Sequence, residues 1–154
     1  MLQSGLPAPD FTLPDADMET FDLSDFLGKK VVLYFYPKDD TPGCTMEAIE
    51  FSDLDEEFAK QNTVILGVSK DDCMSHAAFR DKHGLAITLL SDEEGKVCDL
   101  YDVWQQKEKD GVKKMGIVRS TFIIDEKGML QHVQYGAVAK GHAQEILQLI
   151  KSCK

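Results

Sequence analysis

The stretch PKDDTPGCTMEAIEF, residues 37–51, sets a single cysteine at a junction. Cys44 follows a Pro-Gly pair and opens a segment of helical spacing, with no second cysteine close behind it. Neither a C-x-x-C redox pair nor a zinc knuckle fits, and the chemistry left is that of a lone nucleophile. Thr41 followed by Pro42 reads as an N-cap with proline at the first helical position. Cys44 then falls in the first turn, where unpaired backbone N–H groups and the positive end of the helix dipole favour a thiolate over a thiol. Gly43 beside it leaves the backbone bare for a small substrate to approach.

The neighbouring acids work against a thiolate. Asp39, Asp40 and Glu47 carry like charge and would raise the thiol's pKa if they faced it. A cation must come from elsewhere in the chain. Arg119 is the candidate, because it begins the strand-like run RSTFIID and its guanidinium keeps its proton and offers several donors at once.

The elements that would bring these residues together are legible in the pattern. VVLYFYP (31–37) is a β-branched and aromatic run, the mark of a strand buried on both faces. Ligands of open α/β sheets sit beyond the carboxyl ends of strands, and PKDDTPGC lies there. From 44 to 60, Ile49, Phe51, Leu54 and Phe58 predict a helix. TVILGVS (63–69) predicts a second buried strand, and residues 73–83 a helix closed by Gly84. ITLLSD (87–92) is a third strand, and EEGKVCDLYDVW leads into a short helix. The KEKDGVKKMGIV segment reads as irregular. RSTFIID and MLQHVQY, joined by EKG, predict a hairpin, and GHAQEILQLIKSC a last helix with Ile146, Leu147 and Ile150 on one stripe. FTLPDADMETFDLSDF reads as an N-terminal hairpin ending at Ser24 as a helix cap. The order predicts an α/β layered fold with a mixed sheet, one domain over residues 1–154.

Bulk properties narrow the function. The 154 residues carry 27 acids against 17 Lys and Arg, a net charge of −10, with no basic block. Nucleic acid and anionic membrane are poor partners for such a chain. No apolar run reaches the ~20 residues that span a bilayer, and the N-terminus lacks the basic and hydrophobic regions of a secretory signal. Four isolated cysteines (44, 73, 98 and 153) point to a reducing compartment rather than a disulfide framework, so a cytoplasmic protein is expected.

The run P-K-D-D-T-P-G-C, with Pro37, Thr41 and Cys44, resembles the P-x-x-x-T-x-x-C motif of the peroxiredoxins, and TPGCTMEAIEF resembles their peroxiredoxin Q branch, also called bacterioferritin comigratory proteins. PAPDFTLPD, LGVSKD, VWQQKEKDGVKKMGIVRSTFIID and KGHAQEIL extend the resemblance nearly end to end. It implies a thioredoxin-like fold, a mixed central sheet with helices on both faces, and reduction of hydrogen peroxide and organic hydroperoxides. It makes Cys44 the peroxidatic nucleophile. Thr41 would hydrogen-bond the thiolate and the peroxide, Arg119 would stabilise both the thiolate and the leaving oxygen, and Pro37 would wall the pocket. Glu47 would orient an arginine or a backbone amide. A displacement at oxygen needs a thiolate and aligned donors, so no metal or organic cofactor is implied. The resemblance also implies a monomer recycled by an external thiol, either thioredoxin or a glutathione/glutaredoxin system.

The chain departs from the branch at the second thiol. Ile49 and Arg80 stand at the two positions where resolving cysteines occur in the family. Two routes stay open: a one-cysteine cycle, or a bridge to Cys73 or Cys98, with Cys153 a weaker choice. The one-cysteine route is preferred, because a disulfide needs Cα atoms within about 7 Å and Cys44 would have to unwind its turn to reach another helix. Cys98 and Cys153 otherwise read as small buried hydrophobes, and Cys73 as part of an exposed cap. His76, His83, His132 and His142 read as solvated surface, Tyr101 and Trp104 as packing, and the acids of DLDEEF and SDEEGK as a solvated face. The alternative functions are a thiol–disulfide oxidoreductase, which lacks its C-x-x-C pair, and a non-catalytic binding protein, which would have no use for Thr41 and Arg119.

Overall fold

The run VVLYFYP forms the axis of the sheet. In the computed structural model, which describes residues 1–152, β3 (Lys30–Phe35) pairs in parallel with β4 (Thr63–Ser69) and antiparallel with β8 (Ser120–Ile124). β5 (Thr88–Ser91) extends the parallel side and β9 (Leu130–Tyr135) the antiparallel side, in the order β5-β4-β3-β8-β9. The mixed sheet is thus the predicted one, and the fold is thioredoxin-like.

β3 is apolar along nearly its whole length because side chains alternate faces and both faces are covered. Val31, Leu33 and Phe35 enter one core, while Val32, Tyr34 and then Tyr36 enter the other. The second core is roofed by α1 (Pro42–Asp53), α2 (Asp55–Lys60), α3 (Cys73–His83) and α5 (His142–Ser152), through Phe51, Phe58, Phe79 and Ile146 among others. Phe51 stacks on Tyr34 at 4.8 Å between ring centres and fixes α1 over β3. Burying one such ring stabilises by ~1.5–3 kcal/mol. The first core is covered by the short α4 (Lys96–Leu100), through Val97 and Cys98, and by the N-terminal hairpin of β1 (Thr12–Pro14) and β2 (Thr20–Asp22). Helices lie on both faces, but unequally.

Four expectations need correction. The helix predicted over 44–60 is two, because the chain leaves helical geometry at Leu54 (φ −99°, ψ 4°). The cap after the N-terminal hairpin is Asp22, in a reciprocal capping box with Asp25, and Ser24 lies inside the turn that follows. The segment read as irregular is a hairpin, β6 (Trp104–Lys109) and β7 (Val112–Ile117), turning at Asp110 (φ 54°) and Gly111 (φ 79°). Most of its residues are exposed, so no apolar alternation marks it, and the Asp-Gly pair was its one signal. Asp92 of SDEEGK is buried rather than solvated, because its carboxylate accepts from the backbone N–H groups of Val97 and Cys98 at the start of α4. Gly84 ends α3 in the left-handed conformation (φ 61°), as its position predicted. Cys153 lies outside the described residues.

Candidate active site

The site forms where β3 hands the chain to α1. Thr41 is the N-cap of α1 in extended geometry, with Pro42 at the first helical position. The first N–H to bond back along the helix is that of Thr45, to the Thr41 carbonyl. The amides of Gly43 and Cys44 therefore precede the ladder, as at any helix start. The Thr41 hydroxyl donates to the Lys38 carbonyl at 2.8 Å, which ties the loop rather than the helix end. Cys44 is almost wholly enclosed, with 2% of its surface exposed.

The expected cation arrives from the strand next to β3. Arg119 directly precedes β8, and β8 lies beside β3, so its side chain reaches over the start of α1. Its Nη2 donates to Cys44 Sγ at 3.4 Å, and its Nη1 donates to Glu47 Oε1 at 2.5 Å. Glu47 stands three residues after Cys44 and so shares its helix face. Glu47 is fully buried and raised to about 7 by burial, against the pull of Arg119. Burial alone would lower Arg119, but Glu47 and Cys44 together hold its guanidinium above its ordinary value. Glu47 thus holds one end of the arginine by a charged hydrogen bond.

Gly43 has a role that its position in sequence did not reveal. A Cβ there would lie 3.2 Å from Arg119 Nη2, a tight contact that the guanidinium would have to relieve by a few tenths of an ångström. Pro37 lines a groove of about 530 Å³ with Lys70, Trp104, Lys107 and Ile117 among the other walls, and neither Cys44 nor Arg119 is among its lining residues. Trp104 is half-buried against Lys70, whose Nζ sits 4.2 Å from the ring centre. Burial and then Arg119 lower the ammonium of Lys107.

The two aspartates ahead of the thiol are turned towards α3. Asp39 Oδ1 accepts from the Tyr36 hydroxyl at 2.6 Å, and its Oδ2 faces Ser75 Oγ at 2.8 Å and His76 Nδ1 at 2.7 Å. Asp40 is bound by Lys82 Nζ at 2.7 Å and His83 Nε2 at 2.9 Å, and the His83 and Lys82 contacts lower its carboxyl. Both charges are thereby compensated away from Cys44. The histidines correct the surface reading. His76 is fully buried in this network, and His142 is buried against Thr121, its imidazole lowered by burial.

Among the described residues Cys44, Cys73 and Cys98 are all free thiols. Cys98 belongs to the core on the opposite face of the sheet, and burial pushes its thiol up. A bridge from Cys44 to Cys98 would have to cross the sheet. Cys73 opens α3 and is half-buried, with burial and then Glu93 raising its thiol. Arg80, at the second familiar position, is paired with Asp17 and Asp81.

These features, a helix-start cysteine touched by an arginine on a thioredoxin-like sheet, define a class of thiol enzyme. The AhpC/TSA family matches residues 4–133, and the chain belongs to that family. Within it the chain is 49% identical over 147 residues to the putative peroxiredoxin bcp of Helicobacter pylori strain J99, covering 96% of this chain and 97% of that one. It is 47% identical over 150 residues to peroxiredoxin Bcp of Bacillus subtilis strain 168, covering 97% and 96%. Among solved structures, Xylella fastidiosa PrxQ superposes with a TM-score of 0.94 at 34% identity, over 99% and 97% of the two chains. The bacterioferritin comigratory protein of Xanthomonas campestris, described for its alkyl peroxide reduction activity, superposes at 0.91 with 36% identity, over 97% and 98%.

Proposed function

We propose that this chain, working as one domain, is a thiol-dependent peroxidase of the bacterioferritin comigratory protein (peroxiredoxin Q) type, with Cys44 as the attacking group. The observation that carries this reading is the arginine that donates to Cys44 Sγ and to Glu47 at once. A thiolate at Sγ attacks one oxygen of ROOH, the S–O bond forms, and the O–O bond breaks. The departing alkoxide takes up a proton and leaves as ROH, and Cys44 becomes a sulfenic acid. Arg119 opposes the negative charge at both ends of that displacement, on sulfur before it and on the leaving oxygen during it. Pro37 and the enclosed position of Cys44 limit bulk water, and the hydroxyl of Thr41, the N-cap three residues before Cys44, orients the peroxide.

Reduction then needs two thiols. One displaces water from the sulfenic acid to give a mixed disulfide, and a second releases Cys44 and leaves as the disulfide of the reductant. With Ile49 and Arg80 at the usual resolving positions and Cys98 across the sheet, an external thiol best accounts for the first step. Thioredoxin or a glutathione/glutaredoxin system would supply it, to a monomer in the cytoplasm. Cys44→Ser tests the core of the reading, because a serine hydroxyl is not ionised at neutral pH. Peroxide consumption should vanish while the far-ultraviolet circular dichroism is unchanged. Retained turnover in a folded variant would show that another group does the chemistry.

A further inference from the structure

We propose that Asp39 and His76 are positioning residues for Cys44, a buried latch that rivets the loop ahead of the thiol to the first turn of α3 and sets how often the Cys44 pocket opens. The proposal rests on the peroxidase reading for its purpose but not for its test. Asp39 occupies an unspecified position of the P-x-x-x-T-x-x-C run, so nothing in that motif calls for an acid there.

The latch has more contacts than an ordinary loop anchor. The Asp39 carboxylate meets Tyr36, Ser75 and His76, and only 4% of its side chain is exposed. Its backbone N–H donates to Asp71 Oδ2 at 2.9 Å, and the same oxygen accepts from Ser69 Oγ at 2.6 Å. His76, fully buried, reaches the Leu90 carbonyl of β5 with Nε2 at 2.9 Å. A carbonyl only accepts, so Nε2 carries the hydrogen of that bond. One residue thus joins three elements: the Cys44 loop, α3 and the sheet. Among the described residues Asp39, Asp71 and His76 stand close enough to hold a cation, but their facing atoms are already engaged by protein donors.

The loop needs such a hold. Asp40, the next residue, sits in left-handed backbone geometry (φ 58°), which is sparsely populated for side-chain-bearing residues. Asp39 is five residues before Cys44, with Thr41 between them. Freeing Asp39 releases the turn that delivers Thr41 and the helix start. Cys44 is too enclosed to meet a thiol reductant without such a release. The latch therefore favours the closed pocket that reacts with peroxide and slows the opening that reduction requires.

The test is the rate at which N-ethylmaleimide labels Cys44 in the reduced protein, followed by peptide mapping so that Cys73 is scored separately. Asp39→Ala removes the contacts with Tyr36, Ser75 and His76 and should raise labelling of Cys44 by at least about 10-fold, the low end of what loss of even one hydrogen bond to a charged group gives. Asp39→Asn should recover most of the protection, because its carboxamide can still accept from Tyr36 and donate to Nδ1. Leu130→Ala, in the core on the other face of the sheet, is the control, compared at denaturant concentrations where both variants have equal unfolding free energy. Labelling of Cys44 in Asp39→Ala no faster than in this matched control would overturn the latch. So would an Asn variant as open as the Ala variant. Labelling needs no peroxide, so a failure here is distinct from a failure of the peroxidase reading.

Discussion

Glu47→Gln should flatten the pH dependence of folding stability across the neutral range. Burial raises the Glu47 carboxyl from 4.5 to about 7, even though Arg119 opposes the rise. Its native state therefore holds a proton that the unfolded chain has already released between those two values. Stability must fall as pH rises from about 4.5 to 7 and level off on either side, because the unfolded state binds fewer protons only within that window. The gap of roughly 2.5 pH units, at 1.36 kcal/mol each, corresponds to about 3 kcal/mol. Glutamine cannot ionise, yet its carbonyl can still accept from Arg119 Nη1. Urea unfolding of both proteins under reducing conditions, between about pH 4 and pH 8, gives the comparison. The wild type should lose about 3 kcal/mol relative to the variant over that range, and the loss should be complete soon above pH 7. Parallel curves would mean that Glu47 is as ionised when native as when unfolded, and the burial argument would fail.

Arg119→Met should slow the second-order oxidation of Cys44 by about 100-fold, the loss usual for one donor aimed at developing charge; stopped-flow tryptophan fluorescence can follow it, and a loss under tenfold would reduce the arginine to packing. Cys73→Ser should leave thiol-driven turnover unchanged, and one equivalent of peroxide followed at once by an alkylating agent should yield Cys44 sulfenic acid by mass rather than a disulfide. A Cys44–Cys73 bridge formed within seconds would instead make Cys73 the resolving residue.

Much of this architecture was open to pattern reading, and the reasons are local. β3 and β4 are continuous apolar runs because both their faces are covered, and Gly84 marks the end of α3 because left-handed geometry favours it. Cys44 and Arg119 were legible as a pair through a charge argument: too many acids near a thiolate demand a cation. The β6–β7 hairpin was missed because its exposed strands carry no alternation. The Asp39–His76 latch was missed for a different reason. Its partners stand 37 residues apart, and only the packing of α3 beside β5 brings them together. A histidine with no ligand spacing looks like surface until the carbonyl of Leu90 and the carboxylate of Asp39 are seen around its ring.

Gly43 is not a backbone necessity. It lies inside α1, away from the positive-φ glycines, and the helix would accept alanine there. What the position supplies is emptiness shaped to a guanidinium, with Arg119 Nη2 standing 3.2 Å from where a methyl group would be. Residues 43 and 119 are thus in close contact, although 75 positions separate Arg119 from Cys44, the residue after Gly43. A lineage that gained a methyl group at 43 would shift the guanidinium by a few tenths of an ångström, and one that lost the arginine would be free of that contact. Drift at one position should therefore track drift at the other, and a redesign that grafts this thiol onto another scaffold has to carry the gap along with the charge.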